Sequence, residues 1–281
     1  MNSPSLIQTR PSILVFDSGV GGLSVAAEIQ KKMPFLQIVY ASDNAFFPYG
    51  TKGETELITR VDKVLSKILS LHKIDLIVIA CNTASTLTLP HCRERFPLPI
   101  VGVVPAIKPA AQLTRTRVIG LLATPATVAR PYTQDLIKEH AASCKVLSVG
   151  SSELVATAEK KLRGEILDTQ TIDSVIKQFF DHPDGSKMDT LVLACTHFPL
   201  IRDEILASLH RISPDQSYLL IDSGEAIARR VESLLLNNDA LITEKIDKHQ
   251  ALFTKMSADI ENLKPALSKY GFDQVEFIDI V

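Results

Sequence analysis

Short apolar runs rich in β-branched residues recur along the chain, and longer segments with the spacing of amphipathic helices separate them. This alternation predicts parallel strands joined by crossover helices, which is an α/β fold. The predicted strands are Ile13 to Phe16, Ile38 to Ser42, Leu76 to Ala80, Ile100 to Val103, Val118 to Leu122, Val146 to Val149, Leu191 to Ala194, Tyr218 to Ile221 and Val275 to Ile280. The predicted helices are Leu23 to Lys32, Glu54 to His72, Thr127 to His140, Glu153 to Arg163 and Glu225 to Asn237, with a further helical core segment around Phe179 and Phe180.

The order of these elements repeats once along the chain. In the first half, one strand ends at Asp17 before a glycine-rich turn, and a later strand ends just before Cys81. In the second half, one strand runs into Thr124 and a later one ends just before Cys195. Open parallel sheets bind ligands at the carboxyl ends of their strands. The repeat therefore predicts two similar parallel-sheet α/β modules, related by a pseudo-two-fold axis, with the active site in the cleft between them.

The length of the chain agrees with two modules, because 281 residues at about 150 residues per domain give about two domains. We expect the first module to span residues 1–103 and the second module to span residues 104–216. Residues 217–281 are expected to form a return segment that completes the first module.

The charge balance argues against one class of partner. Lys and Arg number 30 against 32 Asp and Glu, a formal net charge of −2, which lacks the basic surplus that binding to a phosphate backbone needs. We therefore expect no nucleic-acid partner. The segment from Met1 to Arg10 is polar, and no run approaches the roughly 18 apolar residues of a membrane helix. These features predict a cytoplasmic protein without a membrane segment.

The chain has four cysteines, Cys81, Cys92, Cys144 and Cys195, and none belongs to a Cys-x-x-Cys pair. This spacing argues against a disulfide scaffold and against a zinc site, so we expect free thiols and no metal. Free cysteine often packs as a small hydrophobic residue, and we assign that role to Cys92 and Cys144. Cys81 and Cys195 are instead followed by Asn-Thr and Thr-His, whose polar groups are costly in an apolar core. These two are the candidate reactive thiols.

The turn from Gly19 to Gly22 joins a strand to a helix and exposes backbone N–H groups that suit phosphate or carboxylate. With Asp43 after the next strand, the turn resembles a dinucleotide-binding fingerprint. A nucleotide-binding oxidoreductase, or a non-enzymatic binding module, is therefore an alternative. Ser24 at the third glycine position and the negative charge of Asp17 beside the turn weaken this alternative.

Two thiols at one cleft favour a particular reaction. A cysteine hydrolase would use Cys195 with His197 as its base and would leave Cys81 without a role. Two thiols on opposite sides of a carbon atom can remove a proton from one face and return a proton to the other, which is racemisation. Free cysteine titrates at about pH 8.5, so modest tuning gives a useful thiolate fraction at neutral pH.

Five motifs carry a resemblance to a known family: Asp17-Ser18-Gly19-Val20-Gly21-Gly22, Pro48-Tyr49-Gly50, Cys81-Asn82-Thr83-Ala84-Ser85, Ala123-Thr124-Pro125-Ala126-Thr127 and Cys195-Thr196-His197-Phe198-Pro199. In this order, from about Ile13 to about Val231, they resemble the glutamate racemase family of the aspartate/glutamate racemase superfamily. The usual Cys-Pro of that family is replaced here by Ser151-Ser152. Glu159 is the match to the second acidic residue of the family.

The resemblance implies a cofactor-free enzyme that interconverts L-glutamate and D-glutamate and supplies D-glutamate for peptidoglycan. It implies that Cys81 acts on one face of the α-carbon and Cys195 on the other. Asp17 and Glu159 would accept or relay thiol protons, and a protonated His197 would favour a neighbouring thiolate. Aspartate or another substrate of the superfamily is the alternative. A homodimer and activation by a peptidoglycan precursor, which some members use, both stay open.

The motifs contain no arginine that would bind the two carboxylates of such a substrate, so neutral donors and helix N-termini are expected to bind it. The expected substrate-binding residues are Asp17, Ser18, Pro48, Tyr49, Gly50, Asn82, Thr83, Thr124, Thr127, Thr196 and His197. Many of these types also occur simply as turn or cap residues, and Asp17 is equally explained as a helix N-cap.

Overall fold

The computed structural model describes residues 10–235, 245, 246 and 248–280 of the chain. The strands in this part are β1 (Ser12–Asp17), β2 (Gln37–Ser42), β3 (Leu76–Ile79), β4 (Ile100–Gly102), β5 (Val118–Ala123), β6 (Lys145–Gly150), β7 (Thr190–Leu193), β8 (Leu219–Ile221), β9 (Gln250–Phe253) and β10 (Gln274–Phe277). The α-helices are α1 (Leu23–Lys32), α2 (Glu54–Leu71), α3 (Asn82–Arg95), α4 (Ile107–Leu113), α5 (Pro125–Ala129), α6 (Pro131–His140), α7 (Glu153–Leu162), α8 (Thr169–Phe180), α9 (Arg202–Ile212), α10 (Gly224–Leu235) and α11 (Ala258–Lys269).

The strands form two sheets in which every pair is parallel. The first sheet has the order β10-β9-β2-β1-β3-β4, and the second has the order β6-β5-β7-β8. Within each sheet the first four strands of the module follow the same order, 2-1-3-4, which is that of doubly wound α/β folds. The two-module α/β architecture predicted from the repeated pattern is therefore confirmed.

Helices cover the sheets, and the central strands are buried accordingly. All four residues of β3 and all four of β7 are buried, as expected for parallel strands with helices on both faces. The largest cluster of buried apolar side chains runs through both modules, joining Val20 and Leu23 of the first to Leu154 and Phe198 of the second. Each buried side chain of this size contributes about 1.5 to 3 kcal/mol. The two modules thus share a packed interface.

Helix α6 begins later than the sequence pattern suggests. A single helix from Thr127 to His140 is predicted, but the chain forms α5 and α6 with a break at Arg130. Arg130 is extended, with φ −76° and ψ 138°, because the ring of Pro131 disfavours a helical conformation at the preceding residue. Arg130 therefore lies at the junction of the two helices, as the C-cap of α5 and the N-cap of α6.

Several elements carry too weak a pattern to be predicted. The helices α3, α4, α9 and α11 and the strand β9 are absent from the predicted set. Helix α3 buries Asn82, Thr83, Ser85 and Thr88 and therefore has no amphipathic pattern of the ordinary kind. Strand β9 lies between β2 and β10, and its sequence, Gln-Ala-Leu-Phe, contains no β-branched residue to mark it as a strand.

The return segment divides between the two sheets. Strand β8 pairs with β7 in the second sheet, whereas the predicted segment 217–281 assigns it to the first module. Strands β9 and β10 do join the first sheet, and α10 packs on α1. The second sheet therefore ends after Ile221. The module limits at residues 103 and 216 otherwise remain a prediction.

Some predicted features lie outside the described residues. Residues 1–9 of the polar segment from Met1 to Arg10 are among them, as is the predicted helix end at Asn237. Within the ranges that are described, no helix is both long and apolar enough to cross a membrane.

Candidate active site

The two sheets meet at the carboxyl ends of their central strands and enclose a cavity of about 300 Å³. Doubly wound sheets bind ligands where the strand order reverses, which is between β1 and β3 in the first sheet and between β5 and β7 in the second. The cavity opens at both of these points. Its lining includes Ser18, Phe47, Pro48, Tyr49, Gly50, Thr51, Cys81, Asn82, Thr83, Thr124, Pro125, Ala126, Thr127, Ser152, Val155, Ala156, Ala194, Cys195, Thr196 and His197.

Cys81 enters the cavity from the first module, where it is the N-cap residue of α3. Ser85 fixes this helix start, because its hydroxyl donates to the carbonyl of Ile79 and accepts from the amide of Val103. The Sγ of Cys81 lies 3.9 Å from the hydroxyl of Ser18. Burial and the negative charge of Asp17 raise the pKa of the Cys81 thiol far above its ordinary value, although the amide of Ala84 and the Ser18 hydroxyl act in the opposite direction.

Cys195 enters from the second module, two residues after the end of β7. Its Sγ lies 3.8 Å from Nδ1 of His197. Both cysteines are 8% exposed and line the cavity, and each also packs against a cluster of buried apolar side chains. The two predicted thiols are therefore brought into one site, one from each module. Cys92 is fully buried in the first module, in keeping with a packing role.

His197 and Glu159 form a buried pair behind Cys195. Nε2 of His197 lies 2.8 Å from Oε1 of Glu159, and that oxygen also accepts from the amide of Val20 at 3.0 Å. Burial alone would lower the pKa of His197, but its contacts with Cys195 and Glu159 raise it well above the ordinary value. Burial opposes ionisation of Glu159, yet His197, the Val20 amide and Arg163 together lower its pKa. The pair therefore favours an imidazolium beside the sulfur of Cys195.

Asp17 lies behind the cavity wall and is fully buried. Its Oδ1 accepts from the amide of Ser18 at 2.7 Å, and its Oδ2 accepts from the amide of Gly22 at 2.5 Å. Burial raises its pKa, while the charge of His197 and the two amides lower it to a smaller extent. Asp17 is absent from the cavity lining, so the expected direct contact with substrate is not supported. Its connection to Cys81 runs through the Ser18 hydroxyl, 3.4 Å from Oδ1.

The glycine turn is needed for close contact between the modules. A Cβ on Gly21 would lie 2.5 Å from Nδ1 of His197 and 2.6 Å from Oγ1 of Thr196, and a Cβ on Gly19 would collide with Glu159. The hydroxyl of Ser24 also donates to the carbonyl of Thr196 at 2.8 Å. The second module thus occupies the space over the turn where a dinucleotide would place its pyrophosphate.

Asp43 is likewise engaged. Arg60 donates to both of its carboxylate oxygens at 2.7 and 2.9 Å, and the hydroxyls of Tyr49 and Thr254 donate to it at 2.7 and 2.6 Å. Asp43 is fully buried, so it is not exposed to bind a ribose. The dinucleotide interpretation of Gly19 to Gly22 with Asp43 is therefore wrong. Asp43 instead fixes the loop that carries Tyr49.

The other predicted substrate-binding residues all line the cavity. Thr124 caps α5, its hydroxyl accepting from the amide of Thr127 at 3.3 Å and lying 3.0 Å from the Thr127 hydroxyl. The Oδ1 of Asn82 is buried without a hydrogen-bond partner in the described part of the chain, so it is free to accept from a ligand. The lining has no Lys, Arg, Asp or Glu, which agrees with the expectation of neutral donors.

Sequence reasoning missed the apolar part of the lining. Phe47 stands beside Pro48, and its ring centroid lies 6.0 Å from that of His197. Val155 and Ala156 reach the cavity from α7, next to Ser152. Adjacency to a predicted motif is the signal that could have located Phe47. Nothing local distinguishes Val155 from other apolar residues of its helix.

The described residues contain no group of three or more His, Cys, Asp or Glu side chains that could hold a metal ion. Each of the two thiols at the cavity has its own polar relay. One relay joins Cys81, Ser18 and Asp17, and the other joins Cys195, His197 and Glu159. Fold and site together define a two-module α/β protein with a thiol from each module at one cleft.

Comparison with known proteins agrees with this class. The sequence model of the Asp/Glu/Hydantoin racemase family matches residues 23–231. Glutamate racemase of Pectobacterium carotovorum is 49% identical over 275 residues, covering 97% of this chain and 93% of that protein. The structure of Escherichia coli glutamate racemase in complex with L-glutamate and the activator UDP-MurNAc-Ala has a TM-score of 0.87 at 43% identity, covering 97% of this chain and 100% of that one. Glutamate racemase isoform RacE1 of Bacillus anthracis has a TM-score of 0.80 at 28% identity, covering 96% of this chain and 98% of its own. The chain therefore belongs to the glutamate racemases, isomerases of the Asp/Glu/hydantoin racemase family.

Proposed function

We propose that this chain interconverts L-glutamate and D-glutamate by a two-thiol mechanism that uses no cofactor. The observation that carries the proposal is that Cys81 and Cys195, one from each module, line the same cavity. A cavity of about 300 Å³ lies within the size range of small-molecule sites. Membership in the glutamate racemases supports glutamate as the substrate, in preference to the alternative of aspartate or another acid of the superfamily.

The reaction transfers one proton at a time. A thiolate on one side removes the α-proton of glutamate and becomes a thiol, leaving the electron pair on the α-carbon and its carboxylate. The thiol on the other side then donates its proton to the opposite face and becomes a thiolate. Configuration is inverted, the two cysteines exchange protonation states, and no net proton is gained or lost.

The Cys195 side is arranged to form a thiolate. An imidazolium at His197, maintained by Glu159, lies next to the sulfur and stabilises its negative charge. When Cys195 acts as the acid instead, it becomes a thiolate. The His197 imidazolium, paired with Glu159, then balances the new negative charge on the sulfur. Glu159 itself is a positioning residue, since it reaches the thiol through His197.

The Cys81 side depends on Ser18 and Asp17. Because the pKa of Asp17 is raised, this carboxyl group can hold a proton at a pH where an exposed Asp would not. A proton on Asp17 removes the negative charge that opposes the Cys81 thiolate. The Ser18 hydroxyl, between the two groups, links their protonation states.

Substrate binding is assigned to neutral groups. Thr83, Thr124, Thr127 and Thr196 line the cavity, and their hydroxyls suit the two carboxylates of glutamate. The buried Oδ1 of Asn82 suits the ammonium group. Ser18 and the backbone of the Pro48, Tyr49 and Gly50 turn complete the proposed binding set.

The cellular role follows from the reaction. We assign the chain to the supply of D-glutamate for peptidoglycan, in the cytoplasm. Activation by a peptidoglycan precursor is part of the proposal, supported by the related Escherichia coli protein that was crystallised with UDP-MurNAc-Ala as activator. A homodimer is compatible with the proposal but is not required by it.

The decisive experiment removes each thiol in turn. Cys81→Ala and Cys195→Ala should each abolish the interconversion of L-glutamate and D-glutamate, measured by chiral chromatography with and without UDP-MurNAc-Ala. Cys144→Ala is the matched control, because this half-buried cysteine lies away from the cavity and should leave turnover unchanged. Full activity in either active-site variant would contradict the two-thiol mechanism. Turnover of aspartate in preference to glutamate would contradict the substrate.

A further inference from the structure

The two cysteines differ in the cations that their own modules provide. Two residues after Cys195 the chain has His197, whose ring lies next to the sulfur. Two residues after Cys81, at the equivalent place in the repeat, the chain has Thr83, which has no charge. At this position the first module therefore offers no imidazole to the Cys81 thiolate, although the proposed reaction requires each thiol to be ionised in turn.

The second module supplies a cation at this place. Arg130 stands at the break between α5 and α6, and its Nη1 donates to the carbonyl of Thr83 at 3.4 Å. Pro131 keeps Arg130 out of the helix, and α5 packs against α3, so the guanidinium reaches across the cleft. Its side chain is part-buried, and no carboxylate of the described residues lies within ion-pair distance of it.

We propose that Arg130 is a positioning residue, which holds a positive charge beside Cys81 from across the cleft and thereby favours its thiolate form. The assignment rests on the proposed two-thiol reaction. It gives the Cys81 side the counterpart of the imidazolium that Cys195 has within its own module. The five motifs named in the sequence analysis contain no arginine. Arg130 thus adds a positive charge near the cavity, although it is not among the residues that line it.

The charges around Cys81 define what Arg130 must offset. Burial, Asp17 and Cys195 all raise the pKa of the Cys81 thiol. Burial raises the pKa values of Tyr40 and Tyr49, and the charge of Cys81 raises them further, so both hydroxyls stay neutral. Burial lowers the pKa of Arg130, while the charges of Cys81 and of Glu54 on α2 raise it. Arg130 is thus hydrogen bonded to the backbone two residues from Cys81, and the charge of Cys81 favours its protonated form.

The test measures the two thiols separately. Wild-type protein, Arg130→Gln and Arg130→Lys are treated with iodoacetamide over a pH series, and the alkylation of the Cys81 and Cys195 peptides is quantified by mass spectrometry. Because alkylation follows the thiolate fraction, Arg130→Gln should slow labelling of Cys81 at neutral pH about three- to tenfold. Labelling of Cys195 should stay within about twofold, and Arg130→Lys should restore most of the Cys81 rate.

The controls separate a charge effect from a structural one. Arg130→Met keeps much of the side-chain length without the charge and should behave as Arg130→Gln. Arg115→Gln makes the same change in net charge at an exposed position away from the cleft and should alter neither cysteine. Unchanged labelling of Cys81 in Arg130→Gln, equal slowing of both cysteines, or an Arg130→Lys variant as slow as Arg130→Gln would each overturn the proposal. Labelling needs no turnover, so its outcome is independent of the glutamate assay.

Discussion

Nε2 of His197 lies 2.8 Å from Oε1 of Glu159, and the other ring nitrogen lies 3.8 Å from the sulfur of Cys195. The imidazole is 3% exposed, so its charge is set by these two partners rather than by water. The same Glu159 oxygen accepts from the amide of Val20 in the first module. The residue that keeps His197 charged therefore also connects the two modules at the active site.

Glu159→Gln keeps the shape of this side chain and removes its charge. The pKa of His197 should then fall toward its ordinary value of about 6.5, and the imidazolium should be lost at a lower pH. We expect kcat/KM at pH 8 to fall about tenfold or more, with the loss becoming smaller as the pH is lowered. The measurement is the pH profile of racemisation, together with an NMR titration of the His197 ring. Glu165→Gln is the matched control, since Glu165 pairs with Arg163 but does not contact His197. An unchanged profile in Glu159→Gln would rule out this role.

Gly21→Ala tests whether the glycine turn is required by the close contact of the modules. The added Cβ would lie 2.5 Å from Nδ1 of His197, the ring nitrogen next to the sulfur of Cys195, so this ring must shift from its position. We expect turnover to fall about 100-fold, because displacement of a reacting group by about 1 Å has effects of this size. Gly53→Ala is the control: a Cβ there meets nothing within 4 Å, and the backbone at φ −70° suits alanine. Equal activity in the two variants would show that the turn tolerates a side chain.

The parts of the fold that sequence predicts are those with local patterns. The strands before Cys81 and Cys195 are apolar runs that end in polar residues, and this change marks the carboxyl end of a parallel strand. Helix α3 has no such pattern, since its buried face carries Asn82 and Thr83, which serve the cavity instead of the core. The polar residues that line the site therefore interrupt the apolar periodicity by which α3 could have been predicted.

The contacts between modules could not be predicted in this way. The sequence around Gly21 indicates a phosphate-binding turn. The position of His197 shows instead that the glycine is required by the close contact between the modules. Arg130 reads as a residue inside a helix, although Pro131 gives a local sign of the break. The roles of Gly21 and Arg130 depend on how segments far apart in sequence pack together. The periodicity of a single segment does not indicate that packing.

Arg60→Ala addresses the buried support of the cavity loop. Asp43 is fully buried, and the Arg60 guanidinium binds both of its oxygens at 2.7 and 2.9 Å. Removing Arg60 leaves a buried carboxylate without its cation, so we expect a loss of about 3 to 5 kcal/mol in the free energy of unfolding. Arg211→Ala is the matched control, because its pair with Asp173 is exposed and should contribute about 1 kcal/mol or less. Urea denaturation measures both, and equal losses would contradict the difference in burial.

Solvent isotope incorporation tests the two-thiol mechanism without any substitution. In D₂O the acid on the second face carries deuterium from the solvent, whereas the proton removed from the first face stays on the other thiol. L-glutamate should therefore give D-glutamate that is deuterated at the α-carbon from the first turnovers, while the recovered L-glutamate stays largely unlabelled. Mass spectrometry of the separated enantiomers, at less than about a tenth of the way to equilibrium, measures both. The reverse reaction, started from D-glutamate, should give the mirror-image pattern, because the proposed mechanism assigns one thiol to each face of the α-carbon. Equal early labelling of substrate and product in either direction would indicate a single base that exchanges its proton with solvent and serves both faces.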